Sequence, residues 1–107
     1  MTCPIYVVGA SGATYSYVPL HPDIGASRRA GNYLFARLTA EGPQIALAGE
    51  SENLSAVDWE GIRAQAQTGH DAAAVLVRLN VSRAVRQAEH QDLIERHHPP
   101  MNTAPRT

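Results

Sequence analysis

The stretch that decides the fold is Glu89-His90-Gln91-Asp92-Leu93-Ile94-Glu95-Arg96-His97-His98-Pro99-Pro100-Met101-Asn102. Leu93 and Ile94 follow His90 at three and four positions, so the three side chains share one face of a helix. Pro99-Pro100 ends that helix, because a proline disfavours helical geometry in the residue before it. The stretch therefore predicts a closing helix over about 81–97.

The start of this closing helix is predicted from its first residues. Asn80 has a side chain suited to an N-cap position. Val81, Val85 and Ala88 recur at helical spacing and are expected to face the core.

A second helix is predicted over 55–68. Ser55 with Asp58 three residues later forms a capping pair, and Gly69 lies where a helix stop belongs. Trp59, Ile62 and Ala66 recur at helical spacing, so Trp59 is interpreted as a core residue and not as a platform for stacking bases.

Five short strands are expected from runs of β-branched, aromatic and aliphatic residues separated by turn signals. The first two, joined by the turn Gly9-Ala10-Ser11-Gly12, form an N-terminal hairpin, and residues 19–30 are predicted to be a loop. The predicted strands are 5–8, 14–18, 31–38, 45–49 and 73–79. These elements predict an α/β domain of the α+β kind: a small, mostly antiparallel sheet flanked by two or three helices.

Length and composition indicate one small domain. The chain has 107 residues, 44% hydrophobic, and no apolar run approaches the ~20 residues of a membrane helix. A single cysteine, Cys3, is consistent with a reducing cytoplasm, so we expect a cytoplasmic protein without a membrane partner. We divide residues 1–107 into a hairpin and loop (1–30), a core (31–102) and a frayed tail (103–107).

Charge argues against a dedicated DNA-binding protein. The formal net charge is -1, and all nine basic residues are arginine. Proteins that bind the phosphate backbone usually carry a strongly basic surface.

Three motifs in order along the core carry a family resemblance. They are Gly31-Asn32-Tyr33 on one strand, Leu47-Ala48-Gly49 on the next followed by Asn53-Leu54, and the closing run that ends at Asn102. Together they resemble the GIY-YIG endonuclease superfamily over roughly residues 31–102. The resemblance implies a site built from two tyrosines, an arginine and a helical glutamate that holds one divalent metal.

Only one of those four groups is retained at the matching positions. Tyr33 stands at the first tyrosine, but Leu47, Val57 and His90 stand at the second tyrosine, the arginine and the metal-binding glutamate. The resemblance marks Tyr33 and His90 as the catalytic positions. The binding candidates are Gly31, Gly49, Arg63 and Asn102, of which Arg63 is a substitute for the lost arginine. No metal site is expected, and His90 and Glu89 are weak candidates for one.

Three functions remain open. The first is a catalytically degenerate GIY-YIG-like domain that binds a partner or nucleic acid. The second is an active endonuclease with a rearranged site, in which Tyr33 and His90 act with Glu50 or Glu89 and Arg63 replaces the lost arginine. Only this alternative needs a cofactor, Mg²⁺ or Mn²⁺. The third is a homo-oligomeric protein-interaction module unrelated to nucleic acid.

Two structural features distinguish these functions. A continuous arginine stripe beside Tyr33 would favour nucleic acid, with Arg37, Arg63, Arg78 and Arg86 as its members, whereas a broad apolar patch would favour a protein partner. The resemblance also predicts that Tyr33, Gly49 and His90 converge on one concave surface.

Overall fold

The computed structural model describes residues 4–103 and has the predicted α+β architecture. A five-stranded sheet carries helices on both faces. The strands are β1 (Ile5–Val8), β2 (Thr14–Pro19), β3 (Gly31–Thr39), β4 (Gly42–Ser51) and β5 (Ala74–Leu79). The helices are α1 (Pro22–Gly25), α2 (Trp59–His70), α3 (Arg83–His97) and α4 (Pro100–Thr103), with a 3₁₀ turn at Leu54–Ala56.

The sheet is antiparallel throughout, in the order β1-β2-β5-β3-β4. Strands β3, β4 and β5 form the three-stranded sheet predicted within 31–79. The N-terminal hairpin extends it through the pairing of Val18 with Val77. Strands β1 and β4 are therefore the two edges of the sheet.

Each face of the sheet has its own core, because successive side chains of a strand point to opposite faces. On the α3 face, Leu34, Leu76 and Tyr17 pack against Leu93 of α3. On the α2 face, Phe35 packs with Ala66 and the α2 side chains around it. The predicted stripe Trp59, Ile62 and Ala66 lies in this second core, so Trp59 is a packing residue.

The start of α2 differs from the prediction. Asp58 is the N-cap, and its side chain accepts a hydrogen bond from the Gly61 N–H. The predicted pair of Ser55 and Asp58 does not form, because the Asn53 side chain binds both the N–H and the hydroxyl of Ser55 in the 3₁₀ turn.

The end of α2 differs as well. The helix continues through Gly69 to His70, and Asp71 caps it in the left-handed conformation (φ 55°). An aspartate tolerates this conformation better than most residues, so no glycine is needed.

The start and the buried face of α3 also differ. Ser82 is the N-cap, whereas the Asn80 side chain donates to Asn32 Oδ1. The predicted stripe Val81, Val85 and Ala88 is exposed to solvent. The buried residues of α3 are Arg86, Glu89 and Leu93, because ion pairs to the sheet satisfy the two charged ones.

The predicted loop over 19–30 and the predicted tail over 103–107 are the remaining segments. The expected loop over 19–30 contains the short helix α1, which His21 caps through the Asp23 N–H. Of the predicted frayed tail, Thr103 ends α4, and residues 104–107 lie outside the described residues. Between residues 4 and 103, no helix has the length and apolarity needed to cross a membrane.

Candidate functional site

Tyr33 and Gly49 are direct cross-strand partners on the α2 face. The Tyr33 ring lies across Gly49, where a methyl group would overlap it. Trp59 meets the same ring edge to face, with 5.2 Å between centroids, and Phe35 does so at 6.0 Å. Gly49 therefore leaves the room that this aromatic cluster needs.

The Tyr33 hydroxyl is not prepared to act as a base. Burial raises the pKa of Tyr33, and the negative charge of Glu50 raises it further. The hydroxyl has no hydrogen-bond partner among residues 4–103. Tyr33 is therefore a neutral phenol at physiological pH, and it could donate a hydrogen bond to a ligand.

His90 is bound to the backbone of the edge strand β4. Its Nε2 lies 3.0 Å from the Ala48 carbonyl oxygen. Since a carbonyl oxygen only accepts, Nε2 carries a proton and donates it. That nitrogen is therefore not free to bind a metal ion.

Asn102 binds the same residue of β4 in the manner of a neighbouring strand. Its Oδ1 accepts from the Ala48 N–H at 2.7 Å, and its Nδ2 donates to the Ala48 carbonyl at 2.8 Å. Unpaired backbone groups at a sheet edge invite association with other chains. Asn102 and His90 together close this edge, so both have a structural role.

The residues that the family resemblance groups together contact different parts of the fold. Tyr33 belongs to the α2-face core, whereas Leu34 beside it and Leu93 of α3 belong to the other core. His90 is on α3 and reaches the outer edge of β4 from that side. Tyr33 and Gly49 therefore form one group on the α2 face, and His90 and Asn102 form another at Ala48 on the edge of β4. The convergence of Tyr33, Gly49 and His90 on one concave surface stays a prediction.

Both candidate carboxylates are held by arginines on the α3 face. Arg86 Nε donates to Glu50 at 2.8 Å, and its Nη1 donates to the carbonyls of Asn80 and Val81. Arg78 Nε donates to Glu89, also at 2.8 Å. Arg86 is 2% exposed, so its charge is fully committed to these contacts.

Sequence reasoning missed the ion pairs that Arg86 and Arg78 make between α3 and the sheet, because it assigned apolar residues to the buried face of α3. A usable signal was present: Arg86, Glu89, His90 and Leu93 follow one another at helical spacing. A charged residue is rarely buried unless it is paired, so this face also required opposite charges on the sheet.

The other predicted positions have structural roles or lie apart. A side chain at Gly31 would meet the Arg78 carbonyl oxygen at 2.6 Å, so close strand packing requires glycine there. Leu47 packs in the α2-face core, and Val57 caps the 3₁₀ turn. Arg63 is exposed and lines a shallow pocket with Pro19, Leu20, Ala73 and Val75.

The four arginines proposed as a stripe do not form one. Arg78 and Arg86 are paired on the α3 face. Arg37 is on the far half of β3, where it contacts Gln44 and lies 3.9 Å from Asp71. Arg63 is the only one of the four that makes no ion pair within residues 4–103.

The described part of the chain contains no group of three or more His, Cys, Asp or Glu side chains placed to hold a metal ion. The arrangement thus offers one phenol donor on the α2 face and a set of structural ion pairs on the α3 face. No protein-family model matches the chain, and no curated protein or solved structure is detectably similar to it.

Proposed function

We propose that this chain is a catalytically degenerate GIY-YIG nuclease-like domain that acts as a binding or interaction module. The observation that carries the proposal is that the candidate catalytic side chains of the domain make structural bonds within the fold. Glu50, Glu89 and His90 are the groups a rearranged nuclease would use, and each is bonded to another part of the fold. A group held in this way must break a structural contact before it can bind a metal or a phosphate.

The chemistry of the remaining positions supports the same proposal. Hydrolysis of a phosphodiester requires positive charge near the developing negative charge, supplied by a metal ion or a guanidinium. Leu47 and Val57 supply neither, and the raised pKa of Tyr33 disfavours its phenolate. Tyr33 packs among the aromatic residues of the α2 face, and His90 is bonded to the Ala48 carbonyl, so both family positions already make structural contacts.

A protein partner is favoured over nucleic acid by the distribution of arginine. Arg78 and Arg86 are neutralised by ion pairs, and the net charge of the chain is -1. Phosphate binding depends on several accessible cations that act together. The proposal requires no cofactor, and a cytoplasmic location remains an expectation from the single cysteine.

A nuclease assay tests the absence of catalysis. Duplex, single-stranded and branched DNA are each incubated with the protein in Mg²⁺ and, separately, in Mn²⁺. We expect no cleavage above a protein-free blank. Turnover that Tyr33→Phe or His90→Ala abolishes would instead establish the rearranged nuclease. Tyr6→Phe is the matched control, because Tyr6 is an exposed tyrosine on the distant β1 strand.

A binding assay tests the choice of partner. Fluorescence anisotropy of labelled duplex and single-stranded DNA is measured at low and physiological salt. We expect no saturation at about 100 µM protein in physiological salt, the weak end of non-specific binding. Tighter binding that weakens steeply as salt rises would show that nucleic acid is the partner.

A further inference from the structure

The N-terminal hairpin is a segment of this protein without charged side chains. Residues 4–20 contain no Asp, Glu, Lys, Arg or His, although 18% of the chain is charged. β1, the outer strand of this hairpin, is an edge of the sheet. Edge strands are usually protected from association by charged side chains, and β1 has none.

The orientation of the β1 backbone follows from one hydrogen bond at the turn. Gly9 N–H donates to the Ala13 carbonyl at 2.9 Å, which makes these two residues a hydrogen-bonded pair in the register of β1 and β2. Such pairs alternate along antiparallel strands. The N–H and C=O groups of Tyr6 and Val8 therefore point away from β2, towards the open edge.

Only one of these outward groups is occupied within residues 4–103. His97 Nε2 lies 2.8 Å from the Val8 carbonyl oxygen. The N–H and C=O of Tyr6 and the N–H of Val8 have no partner within residues 4–103. Tyr6 and Val8 line a groove of about 230 Å³ beside the β3–β4 turn, which Glu41, Arg96 and His97 also line. The opposite edge, β4, is closed at Ala48 by Asn102 and His90.

We propose that β1 pairs antiparallel with β1 of a second copy of this chain, about a two-fold axis that passes beside Tyr6. In this register the Tyr6 N–H of each copy donates to the Tyr6 carbonyl of the other. The Val8 N–H of each copy donates to the Pro4 carbonyl of the other. The pairing supplies four hydrogen bonds and uses every free outward group of β1.

The position of Pro4 makes this register self-consistent. The antiparallel pattern would also require residue 4 to donate to the Val8 carbonyl, but a proline has no N–H. That carbonyl already accepts from His97, so nothing is left unsatisfied. Registers centred on Val7 or Val8 instead direct an N–H at the occupied Val8 carbonyl.

The side chains of β1 favour a second copy as the partner. Tyr6 is 62% exposed and would lie directly opposite its equivalent, and aromatic cross-strand pairs are stabilising. Two identical surfaces that carry charge bring like charges together across a two-fold axis, which is unfavourable. β1 itself carries no charge, so no like charges meet along the paired strands, and the charged residues beside it, Glu41 and Arg96, are of opposite sign.

The interface is small, so the dimer should be weak. Two four-residue strands bury less than the ~1,200 Å² typical of the smallest stable interfaces. We expect monomer at about 10 µM and an increasing dimer fraction towards about 1 mM.

Sedimentation velocity over this concentration range tests the dimer. Tyr6→Lys places two cations at the axis and should leave only monomer, while circular dichroism confirms that the variant is folded. Val81→Lys is the matched control, because Val81 has the highest exposure (85%) of the large apolar residues between positions 4 and 103. Val81 precedes α3, whereas β1 meets the end of that helix at His97. A monomer at every concentration, or a dimer that Val81→Lys abolishes and Tyr6→Lys does not, would overturn the proposal.

Disulfide trapping tests the register, in a Cys3→Ser background. Paired Tyr6 residues have Cα atoms about 5.5 Å apart, within disulfide range, so Tyr6→Cys should give a covalent dimer on oxidation. The two Val8 residues are about 14 Å apart in this register, so Val8→Cys should not form a disulfide. Cross-linking of Val8→Cys alone, or of neither variant, would refute the register. Both readouts are independent of nuclease activity and DNA binding, so this proposal can fail while the proposed function stands.

Discussion

The two helices that cover the sheet bind it by different physical means. α2 packs through Trp59, Ile62 and Ala66 against an apolar, aromatic face. α3 contributes Leu93 to its core, but its other buried residues are Arg86 and Glu89, which pair with the sheet. The stability of an apolar contact between helix and sheet depends on its area and shape. The stability of a charged contact depends on the presence of every partner.

The difference explains which helix the sequence predicts well. Apolar periodicity identifies the buried face of α2, because burial and hydrophobicity coincide there. In α3 the same rule selects Val81, Val85 and Ala88, which are exposed, since the charges that belong inside are neutralised only by residues distant in sequence. Apolar periodicity therefore fails to predict the buried face of a helix where ion pairs to distant residues determine which side chains are buried.

The largest predicted effect is on the charged interface of α3. Arg86→Ala leaves Glu50 and the carbonyls of Asn80 and Val81 without their donor. Breaking a buried ion pair in this way costs about 3–5 kcal/mol. Urea denaturation measures the loss.

Arg83→Ala is the matched control for Arg86→Ala, because Arg83 and its partner Glu52 are both more than two-thirds exposed. It should change the free energy of unfolding by less than about 1 kcal/mol. Equal losses in the two variants would show that the buried pair contributes no more than a surface pair.

On the α2 face, Gly49→Ala should cost about 1–3 kcal/mol, because the added methyl overlaps the Tyr33 ring that Trp59 and Phe35 hold in place. Thermal unfolding measures the loss. In a Tyr33→Leu background the same substitution should cost much less. A full cost in both backgrounds would mean that the strain arises elsewhere.

A substitution at Tyr17 in the α3-face core is expected to increase the stability of the protein. Its hydroxyl is buried without a partner in the described part of the chain, and burial followed by the charge of Glu89 raises its pKa. Tyr17→Phe removes an unsatisfied group and should stabilise the protein by about 1 kcal/mol. Tyr15→Phe is the control: it loses a 2.7 Å bond to Asp92 and should destabilise. Destabilisation by both changes would show that the Tyr17 hydroxyl is satisfied in solution.

The smallest effect concerns the pH dependence of stability through Asp92. Hydrogen bonds from Tyr15 and Ser11 lower the pKa of this carboxyl. Its contribution is therefore present above the unfolded pKa of about 3.9 and is lost as the pH falls through the lower folded value. Asp92→Asn should flatten the fall in stability below about pH 4, measured by urea titration at several pH values. If the free energy of unfolding falls below about pH 4 as steeply in the variant as in the parent protein, other carboxyl groups cause that fall.

The order of the helices and strands is predicted well from the sequence, whereas the side-chain contacts at which the helices begin are predicted less well. The five strands and two long helices follow from runs of β-branched and apolar residues, which are local signals. The N-caps Asp58 and Ser82 were missed, because Asn53 and Asn32 engage the residues that the pattern favoured. The positions that resemble a nuclease site follow from the sequence register, whereas the bond from His90 to Ala48 depends on the three-dimensional path of α3.

The bonds from α3 to both edges of the sheet also bear on the order of events during synthesis. His97 contacts Val8 across 89 positions, and His90 contacts Ala48 across 42. All five strands leave the ribosome before α3, so Val8 of β1 and Ala48 of β4 lack these partners until the last long helix is made. Contacts of such long range slow folding and prolong the exposure of strand edges. We therefore expect chains that stop before residue 83 to aggregate, even though every strand is present in them.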